Sequence, residues 1–205
     1  MKKLLLLIVL VAIAGLVMWK LFSGKEAKSV EEPKDQPLAL SSKSSAFDIS
    51  LSKLLTEYYG VRDALVDWDS AKADISAKAL EIKADSLSFK GLKGDSAIIL
   101  TAENLASSLS NEVKGFLGEN SLEQKRRSFN MMTEYLYNLI RTVQYGGNIV
   151  YHLKCPMAFN DTEEAYWLSN DNKIVNPYLG NKHPKYKNKM LECGSVVDSL
   201  SFEKK

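Results

Sequence analysis

A chain of 205 residues with 27 Lys and Arg against 25 Asp and Glu lacks the positive surplus that displaces counterions from nucleic acid, so that class is set aside. The length suits one domain of ordinary size plus a leader. Two histidines and two cysteines leave few residues for a metal enzyme of the usual kind.

The chain opens with "MKKLLLLIVLVAIAGLVMWKLF", an unbroken apolar run from Leu4 to Trp19 behind Lys2 and Lys3. Residues 1–22 read as a signal peptide or a membrane anchor. The run is longer than most secretory leaders and shorter than the ~20 residues of a spanning helix. Trp19, Leu21 and Phe22, with no A-x-A cleavage pattern, favour an uncleaved inner-membrane anchor. The basic start stays in the cytoplasm under the positive-inside bias, which puts the rest of the chain in the periplasm or cell envelope, anchored or secreted. No cysteine follows the leader, so the protein is not expected to be a lipoprotein. Residues 23–46, rich in Ser and charged side chains and without apolar period, read as a flexible linker.

From 47 to 145 the helical period takes over. Phe47, Leu51, Leu54, Tyr58, Val61, Leu65 and Trp68 form one stripe. Asp69 and Ser70 start a second helix, with Ala71, Ile75, Ala79 and Ile82 on the face expected to pack. "KGLKGD" breaks the chain at Gly91 and Gly94. A third stripe follows in Ile98, Ala102, Leu105, Leu109, Val113 and Phe116. Ser121 and Gln124 have capping-box spacing, and Leu122, Phe129, Met132, Leu136, Leu139 and Val143 make a fourth stripe, with Met131 and Met132 both read as core filler. The expected fold is mainly α: an antiparallel four-helix up-down bundle. At "GGNIVYHLK" the pattern turns to β-branched and aromatic residues. Residues 146–205 are therefore expected to form a small, irregular, β-containing C-terminal cap, one domain with the bundle, with strands at Ile149–Leu153, "AYWLS" and "SVVDSL" and a further extended piece at "KIVNPY".

The familiar catalytic spacings are missing: there is no H-E-x-x-H, no G-x-S-x-G, no phosphate-cradling glycine loop and no inward Glu-x-x-His pair on the helices. Asp67, Asp69, Glu163 and Glu164 fit helix ends and turns, and the chain is expected not to be an enzyme. Sulfur is the informative part. "CPM" holds Cys155 and Met157, and "MLEC" repeats the pair in reverse as Met190 and Cys193. Thiolates and thioethers are soft donors suited to Cu(I), so these four, with His152 and His183 as alternates, are the candidate metal ligands. Trp167 and Tyr178 are candidate walls of the site. The competing reading is a Cys155–Cys193 disulfide, since two cysteines remain in an oxidising compartment; on the chain-entropy model it would stabilise by roughly 4 kcal/mol. Either reading requires the two motifs to meet in space.

"CPMAF", "AYWLSN", "NPYLG" and "KMLECG", with "YYGVRDALVDWDSAKADISAKAL" and "QKRRSFNMMTEYL" upstream, resemble the bacterial family of domains of unknown function numbered 3347 over about residues 48–200. That family occurs as lone exported proteins and fused to periplasmic adaptors of heavy-metal efflux systems. The resemblance implies a metal context for Cys155, Met157, Met190 and Cys193, and an envelope or efflux-system partner. The "NKHPKYKNK" stretch, which holds His183, departs from the shorter family pattern.

Overall fold

The computed structural model describes residues 40–202, and side chains from residue 43 onward. The leader at 1–22 and most of the linker at 23–46 lie outside the described residues. Among the described residues no helix is long and apolar enough to cross a membrane.

Four helices come first: α1 (Ser45–Val66), α2 (Ser70–Asp85), α3 (Ser96–Gly118) and α4 (Leu122–Thr142). Each starts at a side chain able to accept from a free backbone N–H of the first turn: Ser44 from Phe47, Asp69 from Lys72, Asp95 from Ala97 and Ser121 from Gln124. Helices adjacent in sequence pack on each other, compatible with the up-down order. The linker ends earlier than the sequence suggested. Leu40–Lys43 is a strand, β1, paired antiparallel with β2 (Leu92–Gly94) beside a short 3-10 turn at Phe89–Gly91. Main-chain hydrogen bonds make that strand, and a polar stretch of this length leaves no hydropathy signal for it.

The stripes of α1, α3 and α4 face the core as expected. The α2 face does not. Ile75 and Ile82 are 70% and 65% exposed, while Ala73, Ala77, Leu80 and Ala84 are buried. Small alanines let the neighbouring helices approach closely, and this contact displaces the larger isoleucines to the outside. Met132 is buried but Met131 is exposed, because successive helical positions point about 100° apart.

Two buried cations tie the helices together at one end. Lys125 donates to the Phe116 carbonyl in the last turn of α3 (2.9 Å) and to Asp74 of α2 (2.6 Å). Arg126 donates to the Leu65 carbonyl at the end of α1 (2.9 Å) and lies over the Trp68 ring. Each positive charge therefore meets the negative end of a helix dipole and adds a second donor to a last-turn carbonyl that a capping N–H already reaches, Glu119 to Phe116 (3.2 Å) and Trp68 to Leu65 (3.3 Å).

The cap is a three-stranded antiparallel sheet in the order β4-β3-β5, with β3 (Val150–Phe159), β4 (Glu163–Ser169) and β5 (Ser195–Leu200). Tyr151 pairs with Ser169 and Ser199, and Lys154 with Tyr166 and Ser195. "KIVNPY" is not a strand; it belongs to the loop connecting β4 to β5. Tyr58 of α1 joins both halves: its hydroxyl bonds Thr133 of α4 (2.6 Å) and accepts from the Leu168 backbone N–H (3.1 Å). One apolar cluster runs from Leu51 and Phe116 through Tyr58 to Leu153, Cys155 and Trp167.

Candidate functional site

Side chains alternate across β3. Leu153 and Cys155, fully buried, share one face with Trp167 and Ala165 of β4. The loop of residues 170–194 covers that face. Its pivot is Asn176, itself fully buried. The Asn176 Oδ1 accepts from the backbone N–H groups of Tyr178 (2.8 Å) and Leu179 (3.0 Å), the turn expected of Asn before Pro. Its Nδ2 donates to the Cys193 carbonyl (2.7 Å).

Gly194 explains how Cys193 reaches the sheet. Its φ is +145°, and a Cβ there would lie 2.6 Å from the Lys154 carbonyl oxygen and 2.9 Å from Trp167 Cη2. Only glycine fits so close an approach. The next residue, Ser195, pairs with Lys154, so Cys193 arrives beside Cys155. Both cysteines are free thiols, Cys155 buried and Cys193 partly exposed. The Cys155 thiol is pushed up to about 11, first by burial, then by its Cys193 neighbour, against hydrogen bonds from the Asn176 side chain and the Met157 backbone N–H. A neutral thiol is therefore the resting form of Cys155, with two donors aimed at the sulfur that would hold a thiolate.

The four sulfur residues come from two segments that the fold unites. Met190 and Cys193 share a turn, with the Cys193 N–H donating to the Met190 carbonyl (3.0 Å). Met157 follows Cys155 in a stretch of β3 where the register with β4 is irregular. Both methionines are half-buried against the core cluster. Trp167 and Tyr178 are buried, with ring centroids 6.3 Å apart edge to face.

The histidines are placed elsewhere. His152 lies on the opposite face of β3, stacked on Tyr137 of α4 (4.2 Å between centroids) and tilted against Tyr166. Burial lowers it to about 4, and its Nε2 has no hydrogen-bond partner among the described residues. Alternation along the strand separates it from Cys155. His183 folds the lysine-rich insertion on itself: its Nδ1 accepts from the Lys185 and Tyr186 backbone N–H groups (3.2 and 3.3 Å). Its ring stacks on Tyr186 and meets the edge of Trp68, and burial with the nearby Arg126 lowers its pKa. Among the described residues no group of three His, Cys, Asp or Glu gathers.

The Asn-Pro pair marks a turn at Asn176 in the sequence, but its grip on Cys193 was missed, and so was Arg126, whose Nε donates to the Pro177 carbonyl (2.9 Å) and so anchors the covering loop to the helices. Trp68 Nε1 donates to the Leu179 carbonyl (2.9 Å) at the same junction. Away from the thiols, a half-open groove of about 460 Å³ lies between Tyr59, Arg62 and Ile149; Arg62 there is already engaged by Asp63 (2.8 Å) and Ser169 (3.1 Å).

Residues 54–146 match the model of a family described as a protein of unknown function, DUF3347. This region is a member of that family. The match covers most of the helical half and stops before β3, so the sulfur motifs of the cap lie beyond it. No curated protein and no solved structure matches the chain.

Proposed function

We propose that this DUF3347 protein is an exported, non-catalytic carrier of a soft metal ion, with Cu(I) as cargo, in the bacterial envelope. The observation that carries this reading is the meeting of Cys155 and Cys193 across Gly194. Cu(I) accepts few ligands and prefers thiolate and thioether sulfur, so two thiols suffice to start a site and Met157 or Met190 can complete it. Zinc in a structural site is held by four ligands drawn from Cys and His, and among the described residues no group of even three His, Cys, Asp or Glu gathers. Capture would take place in the cap and release by ligand exchange to an efflux-system protein, with the N-terminal segment holding the domain at the membrane. The efflux context comes from the family resemblance.

Because Cys155 rests as a thiol, binding must expel its proton, and the affinity rises with pH toward about 11. The test is an anaerobic titration in which the reduced protein competes with a chromophoric Cu(I) chelator. One equivalent should be withdrawn by the wild type and none by Cys155→Ser or Cys193→Ser, with Met157→Leu and Met190→Leu weakened. A reduced, folded wild type that leaves the chelator complex intact ends the proposal.

A further inference from the structure

The two thiols differ in access. Cys155 is fully buried under Trp167, Asn176 and the covering loop, whereas Cys193 sits at the margin of that loop and is partly open to solvent. The chain brings them together as neighbours through Gly194 and the Ser195–Lys154 pairing, yet a molecule arriving from outside meets Cys193 first. Asn176 grips the Cys193 carbonyl and Gly194 presses on the Lys154 carbonyl, so the main chain on either side of the pair is already held. A neighbouring pair of thiols of unequal exposure is the arrangement of an entry thiol and a resolving thiol.

We infer that the pair is a dithiol exchange site, in which Cys193 receives an incoming disulfide and Cys155 resolves the adduct. In the first step the Cys193 thiolate, having given its proton to solvent, attacks one sulfur of a small-molecule disulfide. The S–S bond of that molecule breaks, a protein-to-small-molecule disulfide forms, and the departing thiolate takes up a proton. In the second step Cys155 loses its proton, its sulfur steadied by the Asn176 amide and the Met157 N–H, and attacks the Cys193 sulfur. The Cys155–Cys193 bond forms and the second small thiol leaves. Two protein thiols are thereby oxidised and one disulfide is reduced to two thiols. The exchange requires no metal, so it stands or falls separately from the copper reading. Where that reading holds, oxidation removes both thiolates and closes the site, and a thiol reductant reopens it.

The test uses the full chain, reduced, freed of metal with EDTA and incubated with oxidised glutathione. Samples are acid-quenched over time, alkylated, and followed by intact mass and peptide mapping. The wild type should end with both thiols lost and no glutathione retained, passing through a transient adduct on Cys193. Cys155→Ala should accumulate the Cys193 adduct, and Cys193→Ser should react at Cys155 about tenfold or more slowly because its sulfur is inaccessible. Circular dichroism checks that each variant is folded, and the transient adduct in the wild type supplies the same information if one is not. A wild type that stalls as the mixed disulfide, remains unreacted, or shows its first adduct on Cys155 overturns the inference. Copper titration of the same reduced protein is read independently.

Discussion

In the helical half, the centre of the core is filled by apolar side chains that touch others like themselves, Leu51, Leu109, Phe116 and Leu136, and buried polar groups such as Lys125 and Thr133 answer local carbonyls and hydroxyls. Around the cap, the contacts that set the shape are polar and buried: Asn176 turning the loop, Arg126 of α4 reaching across to the Pro177 carbonyl, His152 between two tyrosines. Apolar packing tolerates small shifts, whereas a hydrogen bond of 2.7 Å with one donor and one acceptor does not. The helices therefore supply stability, and the cap supplies the position of Cys193 relative to Cys155.

The sharpest test of this division pairs two fully buried aromatic residues, Phe116 of α3 and Trp167 of β4. Either truncation to alanine should cost about 3–5 kcal/mol in denaturant unfolding. They should differ in thiol behaviour. Phe116→Ala should leave Cys155 as slow to alkylate as in the wild type under native conditions, and Trp167→Ala, which removes the wall against Gly194, should make it fast. Equal alkylation rates would erase the distinction between the halves.

Arg126 stands on the boundary. Replacing it with methionine removes the side-chain donor of the Pro177 carbonyl and one donor of the Leu65 carbonyl, which keeps the Trp68 N–H (3.3 Å), and about 2–3 kcal/mol should be lost, since hydrogen bonds to a charged group are the stronger kind. Part of that loss belongs to the end of α1 and part to the covering loop. Intrinsic fluorescence of Trp68, over which the guanidinium lies, should change together with the unfolding midpoint. A fluorescence change with no loss of stability would show that the loop is docked by its other bonds alone.

Acid should act on the cap through His152. Burial holds its folded pKa at about 4, below the 6.5 of an exposed histidine, so the unfolded chain binds the proton more readily. Stability is therefore complete above about pH 6.5 and falls as the pH drops from there toward 4, by about 2 kcal/mol after allowance for partial hydration. Asp198, held below its usual range chiefly by the Tyr137 hydroxyl, adds a loss only at lower pH, beneath 3.8. Comparing unfolding midpoints at pH 7 and 4.5, His152→Phe keeps the stacking and should flatten the difference. An unchanged pH dependence would assign the acid sensitivity elsewhere.

How far the sequence spoke follows the same division. Periodic burial writes itself into a sequence, so the stripes of α1, α3 and α4 and the Ser121 cap were legible. The C-x-M and M-x-x-C pairs were legible as chemistry, and their meeting was a condition that both readings set and the sequence alone did not supply. Gly194 and Arg126 were not, and Asn176 was legible only as the start of a turn before Pro177: the contacts that give them their part in the cap, such as Asn176 with Cys193 or Arg126 with Leu65, join residues separated in the chain, and such bonds leave no period. The β1 strand was hidden for a related reason, since backbone pairing over Leu40–Lys43 asks little of the side chains.

The α2 helix marks where period alone misleads. Two stripes run along it at helical spacing, one of isoleucine and alanine and one of alanine and leucine, and hydropathy prefers the first. Packing prefers the second, because Ala73, Ala77 and Ala84 admit the backbones of α1 and α3 where isoleucine would hold them apart. Ile75 and Ile82, at 70% and 65% exposed, should then carry almost no folding energy. Changing both to glutamine should move stability by less than about 0.5 kcal/mol each, the range of surface substitutions. Ala77→Ile on the opposite face should cost about 1–3 kcal/mol through overpacking, although it adds apolar area. Urea unfolding of the two variants reads this directly: a large loss from the exposed pair with none from Ala77→Ile would mean that α2 turns its isoleucines inward.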